Sequence, residues 1–245
     1  MNKQRIDLYL VKHDYCETRN QAQQMLEFGL VKVNNELITK PNYLVDDSEL
    51  IEVQKLAYVS RAGYKLAKAL EVFKINLDNK VILDIGASTG GFTDCALQHN
   101  AKLVYALDVG SNQLTESLKN NDKVIVMENT NLKSIPQIHF EHKIDAVVCD
   151  VSFISLKHVF KSLISLYNEA LEMVFLIKPQ YELDNKTMSK NNGVVKSHLL
   201  HEKAINNVKS YAKEYGVDLI NITSSPIKGN KGGNEEFLGY FKWRK

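Results

Sequence analysis

Residues 80–92 read Lys-Val-Ile-Leu-Asp-Ile-Gly-Ala-Ser-Thr-Gly-Gly-Phe, an apolar run ending in an acid and then a glycine-rich turn. Such a run is a buried parallel strand entering a tight loop, and the helical pattern after Phe92 offers free N–H groups at a helix N-terminus. The chemistry on offer is ligand binding, and the residue types narrow the ligand. A phosphate-binding loop of the G-x-x-x-x-G-K-[ST] kind needs a lysine; Gly86, Gly91 and Thr93 are in register, but Phe92 stands where the cation must be. The dinucleotide pattern G-x-G-x-x-G fails too, because Ala87 and Ser88 follow Gly86. S-Adenosylmethionine (SAM) suits the stretch better. Its methionine end carries an ammonium and a carboxylate, which match Asp84 beside a glycine loop, and its ribose asks for a second acid one strand later. Asp108 supplies that acid about 20 residues on, as the geometry requires. The expected cofactor contacts are Asp84, Gly86, Ser88, Gly90, Gly91, Phe92 and Asp108. A glycine turn with two surface acids on an ordinary α/β protein would read the same way.

In an open α/β sheet the reacting groups gather at the carboxyl ends of the strands. Those ends also carry Glu128-Asn-Thr-Asn131, Asp150 after Ala146-Val-Val-Cys149, and Lys178 between an apolar run and Pro179. A lysine so placed cannot easily reach solvent, and beside a carboxylate its electrostatics are unusual. Asp150 with Lys178 is therefore either a structural ion pair or part of an acid–base site. Cys16, Cys95 and Cys149 are scattered and odd in number, without metal-ligand spacing; they read as small buried hydrophobes, and no metal is expected.

The elements that must position these residues begin at Lys80. Strands are expected at 80–85, 102–108, 123–127, 144–150 and 171–177, with helices between them, for example 91–99 and 155–168. A long helix at 198–215 and two late strands, 218–222 and 237–241, follow. Alternating βα units make a mostly parallel sheet with helices on both faces. Ahead of it, Ser60 is expected to cap a helix reaching Phe73, with Leu66, Leu70 and Phe73 on its buried stripe and Lys65 off it. Residues 1–55 form a separate small unit. It has a helix from Arg5, a second helix capped by Thr18 with Gln21 at the capping-box position, and short strands at 30–33, 36–38 and 50–53.

A chain of 245 residues accommodates one large domain plus a small one. No run approaches the ~20 apolar residues of a membrane span, and the N-terminus lacks an apolar signal core, so a cytoplasmic location is expected. The net charge is only +2, but the basic excess is local: residues 186–213 carry six lysines against one Glu, and residues 226–245 five Lys+Arg against two Glu. Residues 1–60 carry seven Lys+Arg against nine Asp+Glu. Phosphate attraction, if present, belongs to the last quarter of the chain and to single cations elsewhere.

Arg5-x-Asp7-x-x-Leu10, Thr18-Arg19-x-x-Ala22 and Gly29-x-Val31-x-Val33-Asn34 resemble the S4-type RNA-binding domain over roughly residues 3–54. Lys3, Arg5, Lys12, Arg19 and Lys32 lie on or beside its helices as candidate phosphate contacts. Further on, Ser60-Arg-x-Gly63-x-Lys65-Leu66, Asp84-Ile-Gly-Ala-Ser-Thr-Gly-Gly-Phe-Thr-Asp94, Asp150-Val-Ser-Phe-Ile154, Lys178-Pro-Gln-x-Glu182 and Gly233-Asn-x-Glu236-Phe237 occur in order. The set is similar to the TlyA family, which joins an S4-type domain to an FtsJ-like 2′-O-ribose methyltransferase. The resemblance implies a Rossmann-like class I SAM-dependent methyltransferase sheet (α/β) with a small N-terminal α+β RNA-binding domain. The divisions would be 1–55, a linker at 56–60, and 61–245.

It further implies a Lys-Asp-Lys-Glu tetrad at Lys65, Asp150, Lys178 and Glu236, SAM as methyl donor, and ribosomal RNA within ribosomal subunits as partner. The target would be a cytidine of the small subunit RNA, with the large subunit RNA as a second candidate. Within that tetrad Lys178 is assigned as activating base, Asp150 and Glu236 as its orienters, and Lys65 as a positioner of the ribose or its phosphate. A lysine lowered by burial can take the 2′-hydroxyl proton, although neighbouring carboxylates oppose that lowering. Two departures stand out: Ala62 replaces a usual glycine, and Asn129-Thr130-Asn131 lacks the usual arginine after strand three. Competing readings are a base-directed methyltransferase using Cys149, a non-catalytic ribosome-binding module, and the pore-forming haemolysin label the family has carried.

Overall fold

The computed structural model describes residues 3–54, 56–166, 171–229 and 233–243. The chain divides into two compact units, Met1–Arg61 and Ala62–Lys245.

In the first unit, α1 (Ile6–Lys12) and α2 (Arg19–Glu27) pack over β2 (Val31–Val33), which pairs antiparallel with β3 (Glu36–Leu37) and β5 (Ile51–Val53). A second small ribbon, β1 (Gln4–Arg5) with β4 (Leu44–Val45), was not legible in the sequence pattern. The capping box forms as its residues dictate: Thr18 accepts from the Gln21 N–H while the Gln21 side chain accepts from the Thr18 N–H. Ile6, Leu10, Ala22, Met25, Leu26, Val31 and Val33 make the core. The unit runs past the expected boundary at residue 55, since Leu56 packs on this core and the Arg61 guanidinium pairs with Glu27.

The second unit begins with α3 (Ala62–Phe73), which starts two residues after Ser60, so Ser60 does not sit at its N-cap. Ala62 is helical, so the loss of a glycine there brings no strain. The sheet is built from β6 (Val81–Ile85), β7 (Leu103–Leu107), β8 (Val124–Met127), β9 (Ala146–Cys149), β10 (Glu172–Ile177), β11 (Val217–Ser224) and β12 (Phe237–Trp243), in the spatial order β11-β12-β10-β9-β6-β7-β8. Strands β6 to β10 are parallel, and β12 is inserted antiparallel between β10 and β11. Its helices are α4 (Gly91–Gln98), α5 (Glu116–Lys119), α6 (Leu156–Leu163), α7 (Pro179–Glu182), α8 (Asn185–Lys190) and α9 (His198–Glu214). Every residue of β6 and β9 is buried, which is why these strands read as unbroken apolar runs rather than alternating ones. The chain leaves β6 toward β7 and β8, then crosses back to β9. The crevice between the carboxyl ends of β6 and β9 is thus the switch point where ligands of such sheets bind.

Candidate active site

The loop from β6 to α4 is shaped by two glycines. Gly86 has φ +82°, and a Cβ there would lie 2.9 Å from the Asp150 carbonyl oxygen, a backbone atom that cannot yield. Gly90 has φ +95° and caps α4, and its Cβ would meet Leu118 at 2.2 Å. Both glycines therefore serve close packing of the protein against itself. The loop is pinned to the end of β7: Gly86 and Ala87 N–H donate to the Leu107 carbonyl, and Ser88 N–H donates to Asp108 at 2.8 Å. The second Asp108 oxygen accepts from Gly110 N–H at 2.7 Å. Phe92, expected to touch a cofactor, has its ring buried in the interior, so only its backbone faces the loop.

Asp84 is fully buried. One carboxylate oxygen accepts from the Thr93 hydroxyl at 2.6 Å, and the other finds no partner among the described residues. Burial, opposed by Thr93 and reinforced by Asp150 and Asp108, pushes its pKa up to about 7. A buried carboxylate short of a donor, beside a second acid and a loop without a cation, fits a ligand bearing an ammonium and ribose hydroxyls better than one bearing phosphates.

At the neighbouring strand ends four charged side chains meet, each 3–14 % exposed. Lys178 Nζ lies 2.6 Å from one oxygen of Asp150 and donates to Ser152 Oγ at 2.8 Å. Lys65 Nζ lies 3.5 Å from the other Asp150 oxygen and 2.7 Å from Glu236. Sheet register explains the meeting. Ile177 pairs with Phe237, so Lys178 and Glu236, one step beyond, are neighbours across the β10–β12 ladder. Asp150 follows β9 and donates its N–H to the Ile85 carbonyl at the end of β6. Lys65 comes from the second turn of α3, on the flank of the buried stripe rather than in solvent. Burial would raise the Asp150 pKa, but Lys65 and Lys178 outweigh it and hold it below the usual range. For Lys178 burial pulls the pKa down and Asp150 more than reverses it, so the free site holds an ammonium. The lowering expected from burial alone is not found.

Glu236, not the adjacent Glu235, points inward; Glu235 is half-exposed and faces His201 at 3.7 Å. Cys149 packs in the main apolar cluster, where burial pushes its thiol far above the ordinary range, so it offers no nucleophile. Three residues stood in the quoted strings without a role assigned to them. Glu128 accepts from the N–H groups of Asn112, Gln113 and Leu114, fixing the loop after β7. Asn234 clamps Val195 N–H and the Gly193 carbonyl, holding the segment that leads through Glu236 into β12. Phe153 is 82 % exposed with a left-handed φ of 64°, strained for a bulky side chain, three residues past Asp150. The Asp-Val-Ser-Phe string was the available signal, but backbone handedness is not written in it.

In the first unit Asp7 is sealed from solvent and gathers Arg5 through two bonds of 3.0 Å, Arg19 at 2.8 Å and Gln23 at 3.1 Å. Arg5 and Arg19 remain 41 % and 51 % exposed. Lys3, Lys12 and Lys32 are exposed. A cavity of about 430 Å³ opens at the opposite, amino edge of the sheet, lined by Lys80, Lys143, Glu172, Lys242 and Trp243 among others. There Glu172 already pairs with Lys80 and Lys242, so the cavity shares no residue with the strand-end cluster. No helix among the described residues is long and apolar enough to cross a membrane.

A parallel sheet with this order, an inserted antiparallel strand and a glycine loop at the switch point define a Rossmann-like methyltransferase. The profile of the FtsJ-like methyltransferase family matches residues 58–243, and that of the S4 domain residues 4–51. The chain belongs to the TlyA family of S4-bearing, FtsJ-like methyltransferases. It is 45 % identical to hemolysin A of Brachyspira hyodysenteriae, over 97 % of this chain and 99 % of the relative. It is 36 % identical to the 16S/23S rRNA (cytidine-2′-O)-methyltransferase TlyA of Mycobacterium tuberculosis, over 96 % and 88 %. A solved structure described as a hemolysin from Streptococcus thermophilus is 40 % identical and superposes with a TM-score of 0.77, covering 100 % of this chain and 90 % of that one.

Proposed function

We propose that this protein transfers a methyl group from SAM to the ribose 2′-hydroxyl of a cytidine in ribosomal RNA. The observation that carries the reading is the buried Glu236–Lys65–Asp150–Lys178 chain beside the glycine loop. A ribose hydroxyl is a poor nucleophile at neutral pH, and an alternating set of ammonium and carboxylate groups both orients it and moves its proton.

Asp108 would hold the cofactor's ribose, Asp84 the ammonium end, and the backbone of Gly86, Ser88, Gly90 and Gly91 its methionine and adenosine flanks. When bound, SAM supplies the methyl on a sulfonium, a strong leaving group whose positive charge also disfavours protonation of Lys178. Lys178 thus starts as an ammonium, loses its proton to solvent as the site fills, and accepts the 2′-hydroxyl proton as the oxygen–methyl bond forms. Asp150 and Ser152 fix its amine, Glu236 fixes Lys65, and Lys65 contacts the ribose or its 3′-phosphate. The exposed ring of Phe153 offers the target base a stacking face. Arg5, Arg19, Lys3 and Lys12 of the S4 domain contact RNA phosphates.

The test incubates unmodified small and large subunits with labelled SAM and wild type or Lys178→Ala. Label entering RNA with wild type, abolished in the variant while SAM binding persists, supports the reading. No label in any rRNA, or equal transfer by the variant, sinks it.

A further inference from the structure

Glu182 is a buried carboxylate that the chemistry above does not use, and its contacts converge on the loop between Asp150 and α6. Its two oxygens accept from Ser155 Oγ at 2.7 Å and from Leu156 N–H, the first residue of α6, at 2.9 Å. Its own carbonyl accepts from the Asn207 side chain of α9 at 2.8 Å, which fixes Glu182 to the longest helix of the unit. Residues 151–155 are therefore held at both ends by one short segment, residues 178–182. At the near end Lys178 grips Asp150 and Ser152; at the far end Glu182 grips Ser155 and Leu156. In the middle, the Phe153 ring meets the Tyr181 ring at 5.5 Å.

Tethering at both ends explains how the strained backbone persists. A left-handed backbone at a bulky phenylalanine is strained and lasts only where its surroundings over-determine it. Loosening the far end would let residues 151–155 relax, carrying Ser152 off the Lys178 amine and Phe153 out of its exposed pose. From this clasp we infer that Glu182 is a positioning residue for methyl transfer, acting through Ser152 and Phe153 on Lys178 and the target nucleotide. The inference rests on the methyltransferase reading for what the loop is positioned to do. Its mechanical half stands on the hydrogen bonds alone.

The roles of charge and shape separate cleanly. Glu182→Gln keeps an oxygen for Leu156 N–H and a group that can pair with Ser155, whereas Glu182→Ala leaves the buried Leu156 N–H and the half-buried Ser155 hydroxyl without that partner. Single-turnover methylation of ribosomal subunits should fall tenfold or more in Glu182→Ala and stay within about threefold of wild type in Glu182→Gln. Affinity for S-adenosylhomocysteine should hold within twofold in both. Glu182→Ala combined with Ser152→Ala should be no slower than the worse single variant, because both act through one contact. Ser155→Ala, a milder cut at the same clasp, should lose two- to fivefold and serves if Glu182→Ala does not fold.

Equal losses in the Gln and Ala variants, multiplicative losses in the double variant, or a fall in cofactor affinity parallel to the rate would each overturn the inference. Amide exchange in the free protein provides an arm independent of activity. Leu156 N–H should exchange slowly in wild type and Glu182→Gln and lose that protection in Glu182→Ala. If wild type methylates no ribose, the function reading fails, and this exchange pattern alone decides whether Glu182 holds the loop.

Discussion

Each unit of the chain buries an aspartate between two cations, and the two clusters are built to opposite ends. In the S4 domain Asp7 is sealed, while its partners are arginines that stay about half exposed. In the methyltransferase unit Asp150 joins two lysines that are slightly more buried than itself. A guanidinium does not give up its proton at any working pH and presents a planar fork, so the Asp7 cluster can only display charge. An amine can trade its proton when its surroundings change, so the Asp150 cluster can react. The sequence distances follow the roles. Residues 5, 7, 19 and 23 come from two adjacent helices and the strand before them, whereas the proposed reacting set draws on α3 and the ends of β9, β10 and β12, which only the finished sheet assembles.

The widest separation of the two clusters comes from swapping their cations. Lys178→Arg keeps the charge and removes the proton exchange; single-turnover methylation should fall by about 10²-fold or more, the scale of a lost general base, with SAM binding kept. Arg5→Lys and Arg19→Lys in the other cluster should leave that rate unchanged at saturating RNA and weaken RNA binding only severalfold. A Lys178→Arg enzyme with near-normal rate would reduce Lys178 to a fixed charge like the arginines.

Removing the shared anion should split stability from activity. Asp7→Asn leaves two guanidiniums without their counter-charge and should cost the S4 domain about 2 kcal/mol, below the 3–5 kcal/mol of fully buried pairs because both arginines are half exposed. The Asp7 pKa is depressed by Arg5, Arg19 and Gln23 against the opposing effect of burial, so that contribution is present near neutral pH and disappears as acid protonates the folded carboxylate. Asp150→Asn should instead abolish methylation while the S4 domain melts as in wild type. Denaturant melts with domain-specific probes distinguish the outcomes.

Asp84 gives a third behaviour, an acid held without a cation. Its folded pKa is raised to about 7, above the unfolded value, so the unfolded chain releases this proton first as pH rises. Stability should therefore fall between about pH 4 and 7 and level off above, by an amount on the order of 4 kcal/mol for this one group. Asp84→Asn should remove that slope. A bound ammonium would restore the ionised form, so SAM affinity should rise with pH toward neutrality in wild type and be flat in the variant.

A last test of the contrast is the pH dependence of methyl transfer. Asp150 holds Lys178 charged, so the wild-type rate should climb tenfold per pH unit below the working pKa of Lys178 and then level. A rate independent of pH from 6 to 9 would mean that the lysine never acts as the base.

Much of this was readable from residues alone. The buried strands announced themselves as apolar runs, and their ends fixed the positions of Asp84, Asp108, Asp150 and Lys178 because ligands of such sheets gather there. Lys65 was harder: a helix lysine off the apolar stripe looks solvated, and only β12 and the end of β9 close over it. The Gly-Asn-x-Glu-Phe pattern selected Glu236 over Glu235, while the reason it sits beside Lys178, the pairing of Phe237 with Ile177, is a long-range register. The direction of the Lys178 pKa depends on a 2.6 Å approach to Asp150 winning over burial, a balance between two distances. Phe92 shows that a residue in a ligand loop can turn its side chain into the core.

The most direct measurement is the identity of the product. Unmodified ribosomal subunits would be treated with wild type and SAM, and the RNA digested to nucleosides and separated by mass spectrometry. The account predicts 2′-O-methylcytidine, absent when Lys178→Ala replaces wild type. Methyl on a base, or on no nucleoside at all, would contradict it.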